Sequence, residues 1–102
     1  MHLVQLLLPL RDNTGKQFSK QLFGQVREHL VKTFGGPTIY NRSPATGLWE
    51  DSASDVKEDE VVIFEVMTES LDVSWWKKYR EKLEKRFHQD EIVIRAAEFQ
   101  KL

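Results

Sequence analysis

The chain has 102 residues, 40% apolar and 30% charged, which is typical of a folded globular protein rather than a disordered one. Its formal net charge of −1 gives no general attraction for nucleic acid or for an anionic membrane surface. The absence of cysteine excludes disulfides, thiolate catalysis and cysteine-based zinc sites. The length fits a single domain over residues 1–102.

The N-terminal apolar run is short. Leu6 to Leu8 is interrupted by Pro9 and Arg11, and no basic region precedes it. This pattern predicts neither a signal peptide nor a membrane span, so we expect a cytoplasmic protein.

The first predicted elements are a strand over Leu3–Leu10, apolar on both faces, and an amphipathic helix. Ser19 is a suitable N-cap for this helix, and Phe18 can pack on Phe23 as a hydrophobic staple. The buried stripe follows at a spacing of four residues: Leu22, Val26, Leu30 and Phe34.

Two glycines, Gly35 and Gly36, predict the end of this helix. Thr38–Tyr40 has the composition of a strand, and Ser43-Pro44 has that of a turn. For Trp49 two interpretations remain open: it covers the end of the core, or it forms one wall of a pocket.

An acidic segment follows, which we interpret as a solvated hairpin tip. Its carboxylates are Glu50, Asp51, Asp55, Glu58, Asp59 and Glu60. Their order does not fit a calcium-binding loop. Val61–Thr68 is then nearly continuously apolar and rich in β-branched residues, which predicts a strand in the middle of a sheet.

The second helix repeats the pattern of the first. Asp72 can cap it, and its apolar stripe is Trp76, Tyr79, Leu83 and Phe87. Trp75 lies about 100° around the helix from Trp76, so we expect the two not to share one burial site. One of them is then expected to contact an inter-strand loop or a second subunit. Ile92–Phe99 is the last predicted strand.

The predicted order β-α-β-β-α-β indicates an α+β protein with a ferredoxin-like sandwich. In this fold four antiparallel strands in the order 4-1-3-2 carry both helices on one face. The opposite face of the sheet, which we call the outer face, is then uncovered in a monomer.

Side-chain alternation predicts which residues occupy the outer face. They are Leu3, Gln5, Leu7, Val61, Ile63, Glu65, Met67, Val93, Arg95, Ala97 and Phe99. Eight of these eleven are apolar, so we expect a homodimer in which a second copy covers them. The polar exceptions, Gln5, Glu65 and Arg95, lie on neighbouring strands and are expected to form a row.

The row has two interpretations. It is either a satisfied polar row at an interface, or part of a pocket in which Glu65 acts as a base and Arg95 holds an anion. The candidate catalytic residues are Glu65 and His29, although His29 also fits a half-exposed helical histidine. The candidate ligand-binding residues are Gln5, Tyr40, Arg42, Trp49 and Arg95.

The pattern resembles the dimeric α+β barrel group of ferredoxin-like folds. More specifically, Phe34-Gly35-Gly36, Thr38, Gly47 and Trp49, followed by the apolar strand from Val61, resemble a small uncharacterised bacterial domain family. The resemblance covers about residues 1–99 and implies a homodimer. The barrel group includes cofactor-independent oxygenases, isomerases, haem-handling enzymes and binding proteins.

Two hypotheses follow, and neither includes a cofactor. The first is a homodimeric module that binds a small organic molecule or another protein. The second is a small cofactor-independent enzyme of the oxygenase or isomerase type, with a pocket at the sheet face. The three histidines lack a helical metal-binding spacing, and Val61–Glu65 lacks the glycine and basic residue of an RNA-recognition strand. We therefore expect no metal, nucleic acid or membrane partner.

Overall fold

The computed structural model describes residues 1–35, 39–45 and 59–102, with only the backbone described for 39–45 and 59–60. The elements in chain order are β1 (His2–Pro9), α1 (Lys20–Phe34), β2 (Ile39–Ala45), β3 (Asp59–Thr68), α2 (Val73–Arg86) and β4 (Val93–Glu98). The strands pair antiparallel in the order β2-β3-β1-β4. The expected sequence of elements is therefore present.

Helix α1 begins and ends as its sequence predicts. The Ser19 hydroxyl accepts a hydrogen bond from the Leu22 N–H at 3.2 Å. The rings of Phe18 and Phe23 pack edge to face with centroids 6.5 Å apart, which confirms the staple. Gly35 follows the helix with φ 71°, and its N–H donates to the carbonyl of Val31.

Helix α2 also follows its predicted pattern. A carboxylate oxygen of Asp72 accepts a hydrogen bond from the Trp75 N–H at 3.0 Å, as an N-cap does. The predicted stripe of Trp76, Tyr79, Leu83 and Phe87 is buried along its whole length.

The core lies between the two helices and one face of the sheet. Strands β1 and β3 contribute alternate residues that are almost completely buried: Val4, Leu6, Leu8, Val62, Phe64 and Val66. Near β4, Ile92 is buried just before the strand begins and Ile94 is half-buried. Ala96 alternates with the predicted outer-face residues Arg95 and Ala97, so alternation predicts that it faces the helices. It is exposed instead, so β4 covers less of the core than this alternation predicts.

The predicted four-stranded ferredoxin-like sandwich needs correction. The sheet for which side chains are described has three antiparallel strands, in the order β3-β1-β4, with two helices against one face. Strand β2 adjoins β3 through backbone pairing, with its side chains outside the described residues. The described packing unit is thus a small α+β fold in which β1 and β3 supply most of the sheet side of the core.

Two local predictions between the helices were wrong. Ser43 and Pro44 do not form a turn, because they pair with Val61 and Glu60 within the ladder of β2 and β3. Proline is tolerated there because β2 is an edge strand. Asp59 and Glu60 belong to β3 rather than to a hairpin tip.

No helix within the described part of the chain is long and apolar enough to cross a membrane. Helix α1 has 15 residues and α2 has 14, against the roughly 20 apolar residues that a span requires.

Candidate functional site

A hydrogen-bonded polar row crosses the outer face of the sheet. Gln5 on β1 lies directly opposite Glu65 on β3 and opposite Arg95 on β4. Its side-chain amide nitrogen donates to Glu65 Oε2 at 3.0 Å. The Arg95 Nε donates to Gln5 Oε1 at 2.8 Å. The predicted arrangement of these three residues is confirmed, while a ligand-binding function for them stays a prediction.

The side-chain amide of Gln5 lies between the carboxylate of Glu65 and the guanidinium of Arg95 and is hydrogen-bonded to both. Both hydrogen bonds have one ionised partner, which makes them stronger than bonds between neutral groups. Glu65 and Gln5 are half-buried and Arg95 is exposed. Glu65 Oε1 and the two η nitrogens of Arg95 form no further hydrogen bond among the described residues. The row therefore keeps acceptor and donor capacity for another molecule.

Apolar side chains flank the row on both sides. One set pairs Leu3 with Met67 and Ala97, and the other pairs Leu7 with Ile63 and Val93. Met67 is 39% exposed and Val93 is 47% exposed. On the outer face, accessible apolar side chains therefore lie on both sides of the polar row.

The structure does not show whether the other predicted ligand-binding residues, Tyr40, Arg42 and Trp49, lie near this row. Backbone register places Tyr40 opposite Phe64 and Arg42 opposite Val62, whereas the β2 residue opposite Glu65 is Ile39. The side chains of Tyr40 and Arg42 lie outside the described residues, as does the whole of Trp49. Their part in a pocket stays a prediction.

His29, the second catalytic candidate, does not approach Glu65. It belongs to α1, which packs on the face of the sheet opposite the row. Its ring stacks on Tyr79, with centroids 4.9 Å apart, and on Trp75 at 5.9 Å. Within one copy of the chain, the two catalytic candidates therefore lie on opposite sides of the sheet.

The environment of His29 disfavours its charged form. Partial burial lowers the pKa of His29 below its ordinary value of 6.5, and the nearby cations of Lys82, Arg86 and Lys32 lower it further. The neutral imidazole is consequently the favoured form near neutral pH.

Trp75 corrects another prediction. Its ring packs against Trp76 with centroids 4.8 Å apart and against Phe34 at 5.1 Å, both edge to face. Phe34 also stacks on Trp76 at 5.2 Å. Because the last turn of α1 places Phe34 against both tryptophans, they share one aromatic cluster within the chain.

A groove of about 720 Å³ lies between the two helices. We call it the helix groove and define it by six of the residues that line it: Arg27, His29, Lys32, Tyr79, Lys82 and Arg86. Sequence reasoning missed it, although Lys82 and Arg86 are spaced to share one face of α2. Within the described residues, no three His, Asp or Glu side chains are grouped to hold a metal ion.

Comparison with known proteins gives a match in fold. No protein-family model matches the chain, and no curated protein matches it either. A phage SAM lyase, solved in complex with S-methyl-5'-thioadenosine, superimposes with a TM-score of 0.56. The alignment covers 95% of this chain and 80% of that one, at 15% sequence identity. At this identity the likeness supports the small α+β fold alone.

Proposed function

We propose that the chain is a homodimeric binding module. A second copy covers the outer face of the sheet, and the polar row of Gln5, Glu65 and Arg95 lines a space for a small organic molecule. The observation that carries the proposal is the apolar surface on both sides of this hydrogen-bonded row.

The distribution of apolar residues supports a covered face. An antiparallel sheet with one face in water normally alternates apolar and polar residues, yet β1 presents Leu3 and Leu7 on the face away from the helices. A two-fold axis would bring the same patch of both copies together, so each apolar side chain would meet another apolar surface.

The chemistry of the row supports a small organic ligand. A ligand pocket combines apolar walls with a few fixed polar groups, and the outer face offers this combination. The phage SAM lyase, which holds S-methyl-5'-thioadenosine, shows that a protein of similar fold can bind a small molecule. The enzyme alternative requires Glu65 as a base. The hydrogen bond from Gln5 engages one oxygen of that carboxylate, Oε2, in the polar row.

The assembly is tested with two matched valine substitutions. Val93 on the outer face is 47% exposed, and Val73 at the start of α2 is 52% exposed. We expect light scattering to give the mass of a dimer for the parent chain and for Val73→Glu, and the mass of a monomer for Val93→Glu. A buried carboxylate without a partner would oppose the interface, whereas a glutamate in the first turn of α2 stays in water.

A monomeric parent chain at micromolar concentration would contradict the proposal. So would an equal effect of the two substitutions, since the dimer would then not depend on the outer face.

A further inference from the structure

The helix groove gathers positive charge from two separate elements. Arg27 and Lys32 come from α1, and Lys82 and Arg86 come from α2. Of the described residues that line it, Glu28 is the one carboxylate. These four cations form no ion pair or hydrogen bond among the described residues. Because the whole chain has a net charge of −1, this accumulation of positive charge is local.

The cations that line the groove repel one another. Lys82 and Arg86 are four residues apart on α2, a spacing at which like charges repel. Lys32 lines the same groove from α1. Partial burial lowers the pKa of His29, and these three cations lower it further. A bound anion would offset this repulsion between like charges.

Tyr79 provides an independent observation. Only 4% of this residue is exposed, and its hydroxyl has no hydrogen-bond partner among the described residues. A buried hydroxyl without a partner costs free energy. Tyr79 lines the groove, and an oxyanion bound beside it would offer this hydroxyl the acceptor that it lacks.

We propose that the helix groove binds a small, multiply charged anion of the phosphate class. Its volume of about 720 Å³ falls within the range of small-molecule pockets. Arg27 and Arg86 can each present two parallel N–H donors to a phosphate, and the lysines add compact charges. The site is separate from the outer face, because the helices pack on the opposite side of the sheet.

The proposal is tested by isothermal titration calorimetry, in which inorganic pyrophosphate is titrated into the full chain at low salt. We expect saturable binding that weakens as salt is added. The double variant Lys82→Gln with Arg86→Gln should lose at least about tenfold in affinity, because each cation supplies a charge-assisted hydrogen bond. The control is Lys77→Gln with Lys78→Gln, which removes the same charge from exposed positions of α2 outside the groove.

The variant Tyr79→Phe separates a binding role from a structural one. The phenyl ring keeps the stacking with His29 and Trp75 while the hydroxyl is removed. We expect weaker pyrophosphate binding together with an unchanged or raised melting temperature. Unchanged affinity would remove Tyr79 from the site and overturn the proposed geometry.

Three further outcomes would overturn the proposal. One is the absence of pyrophosphate binding at low salt, and another is an equal loss of affinity in both double variants. The third is binding of single-stranded oligonucleotides without binding of pyrophosphate, which would indicate a nucleic-acid surface. Val93→Glu, designed as a monomer, should bind pyrophosphate normally, so failure of the dimer and failure of the groove are distinguishable.

Discussion

Gly24 lies within α1 and Gly35 follows its last residue, and the two positions differ in whether they can accept a side chain. A Cβ added at Gly24 would meet nothing within 4 Å, whereas Gly35 has a φ of +71° that other residues rarely adopt. We expect Gly24→Ala to raise the free energy of unfolding by about 1 kcal/mol, since alanine favours a helix over glycine. Gly35→Ala should lower it by about 1 kcal/mol.

Urea unfolding of the two variants checks this pair of expectations. Because both replace glycine by alanine in one helix, each serves as the control for the other. Destabilisation by Gly24→Ala would mean that another element needs the space beside it.

The lowered pKa of His29 makes a prediction about pH. The unfolded chain binds a proton to this histidine at a higher pH than the folded chain does, because folding disfavours the imidazolium. Stability should therefore fall as the pH drops through the unfolded pKa of about 6.5 toward the lower folded value. Urea unfolding between pH 8 and pH 5 measures the effect.

The variant His29→Gln should weaken this pH dependence, and NMR titration should give His29 a pKa below 6.5 in the folded chain. The groups that face the ring are the cations Lys32, Lys82 and Arg86, with Tyr79 beneath it. A measured pKa above 6.5 without added anion would refute the explanation.

At the scale of the element, a single carboxylate links α2 to the beginning of β4. Glu84 Oε2 accepts a hydrogen bond from the Ile92 N–H at 3.0 Å and lies 3.7 Å from Arg80 Nε. Ile92 is buried, so losing this acceptor leaves its N–H without a partner. We expect Glu84→Ala to cost about 2 kcal/mol, whereas Glu81→Ala on the exposed side of α2 should cost far less.

Hydrogen exchange at the Ile92 amide provides a local readout. Exchange should accelerate in Glu84→Ala and stay unchanged in Glu81→Ala. Equal exchange in both variants would mean that Glu84 does not hold the start of β4.

At the scale of the whole molecule, we expect the polar row to affect the free energy of unfolding of the proposed dimer. Gln5→Leu removes the amide that joins Glu65 to Arg95. In the proposed dimer both charges are then covered without this partner, so we expect a loss of about 2 to 3 kcal/mol. Gln21→Leu, at an exposed position of α1, is the control.

Urea unfolding at two protein concentrations tests this expectation. A dimer makes the midpoint rise with concentration, and Gln5→Leu should lower the midpoint at both concentrations. An unchanged or more stable Gln5→Leu variant would contradict the role of the row at an interface.

Local patterns in the sequence were sufficient to predict the helices and strands and the polar row. Ser19, Asp72 and Gly35 act on neighbouring residues, so their effect on helix ends can be derived without tertiary contacts. Predicting the row required only the alternation of side chains in strands and the order of the strands in the sheet. Together they placed Gln5 between Glu65 and Arg95.

The aromatic cluster and the helix groove, which the two helices form together, became apparent only from the tertiary structure. The approach of α1 to α2 brings Phe34 against both Trp75 and Trp76, and it places Lys32 in the same groove as Lys82. Contacts of this kind depend on the distance and angle between elements, which periodicity within each element does not encode. For the same reason the extension of β2 to Ala45 followed from its pairing with β3 and not from its own turn-like composition.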